Sequence, residues 1–161
     1  MKKLIVVFFL IGACNSCLAQ NKVQKVGAFF TVSIPGMQRM DEKGNKIDPE
    51  PIYNRFIFLE CRYEGKPKVD TVFYNGIVFK ASVADKAEAE LKIGIRSNDG
   101  RPVMMTPKKG NHIWKIGLMQ INGKTLQHQA VKKILVKGML DKTKFTYTIA
   151  AETELTAPDM Y

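Results

Sequence analysis

The feature of this sequence that most narrows its fold is an apolar alternation at spacing two, which recurs along most of the chain and is twice closed by Asn-Gly. Spacing two is the period of a strand with one buried face, because successive β-carbons point to opposite sides. Ala28, Phe30, Val32 and Ile34 alternate in this way, as do Ile77, Phe79, Ala81 and Val83, and later Phe145, Tyr147, Ile149 and Ala151. Phe56-Ile57-Phe58-Leu59 is apolar at every position, which suits a central strand covered on both sides. Val69, Thr71 and Phe73 lead into Asn75-Gly76, a pair that tolerates the positive φ of a type I′ turn and so predicts a tight hairpin. Asn122-Gly123 repeats that signal after the apolar run 113–121.

Further strands are expected at Val103-Met104-Met105 and Ile134-Leu135-Val136, and where Ala89, Leu91, Ile93 and Ile95 alternate with Glu88, Glu90, Lys92 and Arg96. The segment from Ala84 to Leu91 is made of strong helix formers, yet it shows no 3.6-residue stripe. A strand entered through a turn is expected there, with one short helix as the alternative. The sum is an all-β chain: an antiparallel β-sandwich, immunoglobulin-like or related, of about eight or nine strands, or alternatively a small β-barrel. Its longest loop runs from Pro35 to Pro51, and connections beyond about 12–15 residues are either functional or mobile.

At 161 residues the chain fits one domain, with residues 1–19 reading as a secretory signal peptide and 20–161 as a single β domain. Lys2 and Lys3 form a positive start, and Leu4 to Ile11 is an unbroken apolar run well short of the about 20 residues that span a bilayer as a helix. Cys17-Leu18-Ala19 places small residues where the general signal peptidase reads them, for a cut before Gln20. Ile11-Gly12-Ala13-Cys14 offers a competing lipoprotein box in which Cys14 is diacylated, but that leader would be short and Ile is an unusual opening residue. The expected location is periplasmic or secreted. A membrane enters only through a lipidated Cys14, whose acyl chains gain about 0.8 kcal/mol per buried CH₂. The C-x-x-C spacing of Cys14 and Cys17 falls at the end of the leader and is expected to be removed or processed with it.

Taking Lys2 and Lys3 from the 25 basic residues leaves 23 against 15 acidic ones, a net +8 on the processed chain. An exported basic chain meets no nucleic acid; its expected partners are an envelope protein or a polyanionic surface. The lysines, among them Lys66, Lys68, Lys108, Lys109, Lys132, Lys133, Lys142 and Lys144, are scattered through many segments. Such scatter predicts a solvated surface shared by several faces.

No G-x-S-x-G, H-E-x-x-H, Walker loop or G-x-G-x-x-G stands in the sequence, so no catalytic residue, metal site or cofactor is assigned. The two histidines, His112 and His128, are too few for most imidazole metal sites. The stretch Asp41 to Asp48 has oxygen ligands around Gly44, but it lacks the terminal bidentate Glu of a calcium loop and holds two lysines. Glu60 and Glu64 share a strand face, expected to be solvated. Cys61 alternates with Ile57 and Leu59 and is expected to be a buried, inert thiol, while Trp114, with Ile116 and Leu118, marks the centre of the core. Lipocalin carriers place a Gly-x-Trp motif near their first strand, and the single Trp here is far from it.

The expected function is therefore that of a noncatalytic binding or accessory module of the bacterial cell envelope. A barrel carrying a small apolar ligand or lipid is the alternative. A hydrolase using carboxylates of the 35–51 loop is the least favoured reading.

Overall fold

A computed structural model describes residues 23–34, 39–48, 50–62, 65–87, 89–120 and 131–156. The leader with Cys14, Cys17 and Ala19 lies outside the described residues, as do Glu64, Asn122-Gly123 and His128. Along the described chain run β1 (Val23–Ser33), β2 (Arg39–Met40), β3 (Lys46–Ile47), β4 (Ile52–Cys61), β5 (Lys68–Tyr74) and β6 (Ile77–Ala87). They are followed by β7 (Leu91–Ile95), β8 (Pro102–Met105), β9 (His112–Gln120), β10 (Ile134–Leu140), β11 (Thr143–Ile149) and β12 (Thr153–Leu155). Among the described residues there is no helix: β6 and β7 occupy the ends of the segment rich in helix formers.

Eight strands form one curled sheet in the order β11-β10-β5-β6-β9-β4-β1-β12, and β2–β3 and β7–β8 pair as separate two-stranded sheets. The all-β expectation holds, in the form of a half-barrel with a smaller sheet beside it. One pairing departs from the antiparallel expectation, because β12 runs parallel to β1, with Phe29 beside Thr153 and Thr31 beside Leu155. The cause is parity. Seven strands from β11 to β1 alternate in direction, so β1 returns with the sense of β11. Residues 150–152 then carry the chain from β11 into β12, which meets β1 head to head. So short a connection between opposite margins of a sheet requires the sheet to curl until those margins approach.

The curl gives the sheet two buried faces. On the inner one Ile57, Leu59 and Cys61 of β4 pack with Trp114 and Ile116 of β9, Val72 and Tyr74 of β5, and Ile134 and Val136 of β10. On the outer one Phe29, Phe58, Ile113 and Leu155 pack with Met105 of β8, and Leu91, Ile93 and Val103 of the small hairpin lie against them. Burying each Leu, Ile or Phe contributes about 1.5–3 kcal/mol, and β4 and β9 each supply such residues to both clusters. Trp114 stands opposite Leu59 in the inner cluster. Phe29 is buried between Ala28 and Phe30, so β1 is likewise covered on both sides. Ile34, grouped with that strand by its spacing, is 69% exposed.

The Asn75-Gly76 turn forms as its sequence predicts, with φ of 48° and 88°. Asn75 does more than turn the chain: its Oδ1 accepts the backbone N–H of Lys132 and of Lys133, at 2.9 and 3.2 Å, fixing the entry to β10. In β5, by contrast, spacing groups Val69, Thr71 and Phe73, whereas the structure buries Val72 and Tyr74 and turns Phe73 to the other side. Lys137 opposes Thr71, and the next residue, Gly138, opposes Val69. Asp70 is therefore an extra residue in β5, and one extra residue inverts every side chain beyond it.

Candidate functional site

An opening lies on the outer face, where the end of β7 stands over β1, β4 and β9. It is a groove of about 590 Å³ lined by Phe56, Ile93, Ile95 and Leu155, by the amines Lys92 and Lys115, and by Thr31, Asn54, Gly94 and Thr156. Strand alternation brings these together, since Asn54 and Phe56 are the outward residues of β4 and Lys115 that of β9. Phe56 is backed by Phe29 and Phe58, at ring separations of 6.1 and 5.8 Å. The Lys115 ammonium sits 4.7 Å from the Phe56 centroid, in cation–π geometry. The β7 wall is fixed by backbone: Thr156 N–H donates to the Ile95 carbonyl at 2.8 Å and Ser97 N–H to that of Glu154 at 3.1 Å. A β-carbon on Gly94 would lie 3.0 Å from Leu155 Cδ1, so glycine lets β7 approach β12 this closely.

The lining contains no carboxylate, imidazole or thiol. What it offers is apolar surface and two positive charges, which suits holding a molecule that carries an anionic group.

A second polar assembly lies inside the curl. Arg55, buried on β4, donates from Nε and Nη2 to the two carboxylate oxygens of Glu152 at 3.2 and 3.4 Å. The rings of Phe30, Tyr53 and Tyr74 surround its guanidinium at 5.7, 5.3 and 5.7 Å. Burial pushes the Tyr74 phenol far above its ordinary range, the charge on Glu152 reinforcing this and that on Arg55 opposing it. This is a charge neutralised within the core, and it closes the sheet by tying β4 to the segment between β11 and β12.

Two of the carboxylates weighed from the sequence, Glu60 and Asp41, have structural work. Glu60 was expected on a solvated face, but it is buried, and its Oε1 accepts the Asn111 amide at 2.6 Å and the Lys108 backbone N–H at 2.9 Å. Its apolar neighbours and the 106–111 turn fold over it, and burial is tolerated because these donors replace water. In the 35–51 region Asp41 Oδ1 accepts the N–H groups of Lys43 and Asn45, and its Oδ2 accepts the Asn45 amide. The Asn45 side chain foremost, then its backbone N–H, hold this carboxyl below the usual range. Asp41 thus closes the β2–β3 hairpin, with Gly44 at φ 80°. Glu42, Asp48 and Glu50 are exposed, and no group of three or more His, Cys, Asp or Glu suited to a metal ion occurs among the described residues. Cys61 is fully buried on the inner face, as its spacing predicts, and His112 stands beside it in register.

Neither Arg55 with Glu152 nor Lys92 with Lys115 stands out in the sequence. The first pair is 97 residues apart and joined by sheet closure. The second has only the polar positions of two alternations as its signal. No protein family, curated protein or solved structure matches the chain.

Proposed function

We propose that this chain is an exported, noncatalytic binding module of the bacterial cell envelope whose ligand seat is the groove beside β7. The observation that carries this reading is the groove's chemistry: apolar walls with the amines of Lys92 and Lys115 and no carboxylate, imidazole or thiol. Its volume falls in the range of about 300–1,000 Å³ common to small-molecule sites. The fitting ligand is an apolar chain bearing one anionic group, with the chain on Phe56, Ile93 and Leu155 and the anion beside the two amines. The alternative of an apolar-ligand carrier is served by this same groove, since the inner face is filled by Ile57, Leu59, Tyr74 and Trp114.

The test is calorimetric titration of the protein with dodecanoate and, separately, dodecanol. Saturable binding is expected, tighter for the carboxylate. Lys92→Gln with Lys115→Gln should bring dodecanoate to the level of dodecanol, and Asn54→Trp, which fills the groove, should abolish both. Dodecanoate binding indifferent to both variants would move the ligand elsewhere.

Export rests on Lys2, Lys3, the apolar run to Ile11 and the cut after Ala19. Intact mass of the protein from its native host should show a chain beginning at Gln20 or its cyclised form. A diacylated chain beginning at Cys14 would make it a membrane-anchored lipoprotein instead.

A further inference from the structure

Register gathers what the sequence scatters. Lys144 of β11, Lys137 of β10, Lys68 of β5 and Lys80 of β6 all point away from the inner cluster, one on each of four adjacent strands. At about 4.8 Å between strands they form a band roughly 14 Å wide. Lys133 adjoins it beside Phe73 and Leu135. Within β5, β10 and β11 the one carboxylate is Asp70, at the bulge. Like charges on neighbouring strands repel, and a sheet ordinarily interleaves them with acids. Here Met139 stands between Lys144 and Lys68 and Thr71 between Lys137 and Lys80, while Phe73, Leu135, Val78 and Met119 flank the band, the last two 39% and 54% exposed. Lys137 Nζ stands 5.2 Å from the centre of the Phe73 ring.

We propose that this outer face of β11-β10-β5-β6 docks on an anionic lipid bilayer. Charge complementarity requires an anionic occupant, and the choice of lipid over an acidic protein follows from residue type. Protein interfaces are depleted in lysine and enriched in arginine, whose fork matches a carboxylate, and no arginine stands in these four strands. Lysines on long apolar stems, set among half-exposed apolar side chains, let the stems and the apolar groups enter the head-group layer while the ammonium groups stay with the lipid phosphates. The proposal goes beyond the groove reading and shares no lysine with it.

Sedimentation with vesicles tests it, using the processed protein with vesicles of phosphatidylcholine alone or mixed in equal parts with phosphatidylglycerol. Binding to the mixed vesicles only is expected, weakening as salt shortens the screening length. Each lysine near such a surface is worth about fivefold in affinity, so Lys80→Gln with Lys137→Gln should cost about 25-fold. The same change in net charge at Lys108 and Lys109, outside the face, should cost less than about fivefold. Circular dichroism of both variants establishes that they are folded; were the first pair unfolded, Lys144→Gln with Lys68→Gln would make the same comparison. Equal losses from both pairs, or no binding to mixed vesicles, would overturn the proposal. Retention on immobilised polyglutamate, through these lysines and without vesicle binding, would assign the face to an acidic protein.

Discussion

Arg55 and Glu152 meet at 3.2 Å with their side chains only 5% and 8% exposed. Removing one partner from such a pair leaves an unpaired buried charge and costs about 3–5 kcal/mol, whereas replacing both with apolar groups of similar size is often neutral. Urea unfolding should therefore show Glu152→Ala losing about 3–5 kcal/mol, and Arg55→Met with Glu152→Leu losing far less. A double variant as unstable as the single one would show that the three rings, rather than the carboxylate, hold Arg55 in place.

Tyr74 should make the protein sensitive to alkali. Its hydroxyl is buried without a hydrogen-bond partner, and its folded-state pKa lies above the ordinary 10.0. The folded chain keeps the proton where the unfolded chain has released it, so the contribution to stability is complete below about pH 10 and is lost as pH rises beyond it. Tyr74→Phe should flatten that slope and leave stability at neutral pH unchanged or raised by about 1 kcal/mol. Urea midpoints of both proteins across the alkaline range measure this; a neutral-pH loss of about 2 kcal/mol would reveal a hydrogen bond to the hydroxyl.

Gly138 should tolerate no side chain. A β-carbon there would collide with the Lys68 carbonyl oxygen across the β5 bulge and lie 2.9 Å from the Phe145 ring. Overpacking of this kind costs about 1–3 kcal/mol, and Gly138→Ala should lower the melting temperature accordingly. Phe145→Leu should not rescue it, because the carbonyl belongs to backbone and cannot step aside. Full rescue would place the conflict in the ring alone.

Cys61 should resist thiol reagents while the chain is folded and react at once in denaturant, since it is fully buried between strands. Rapid labelling of folded protein would mean that β4 opens at its Cys61 end, next to the buried Glu60.

The strands and their central member were legible because they depend on local pattern. Phe56 to Leu59 announces a strand covered on both sides, and Asn75-Gly76 its hairpin, from residues adjacent in sequence. The β5 face was not, because an inserted Asp70 is invisible until β10 supplies the register it disrupts. The same holds for the lysine band, whose Lys80 and Lys137 lie on polar positions of unrelated strands, and for the groove, whose walls come from β7 and from strands far from it in the chain. Glu60 misled for a related reason: alternation gives a side, and the turn that folds over that side is written some fifty residues later.

The parallel pairing of β12 with β1 also orders events in time. The partner of Phe29 along that margin is Thr153, so one flank of β1 stays a bare strand edge until nearly all of the described chain has been synthesised. A bare edge is a template for pairing with another chain, and contacts of such long separation form slowly. The three residues of β12 therefore act as a late seal, and a chain shortened before Thr153 would be expected to self-associate through β1 before it lost its hydrophobic interior.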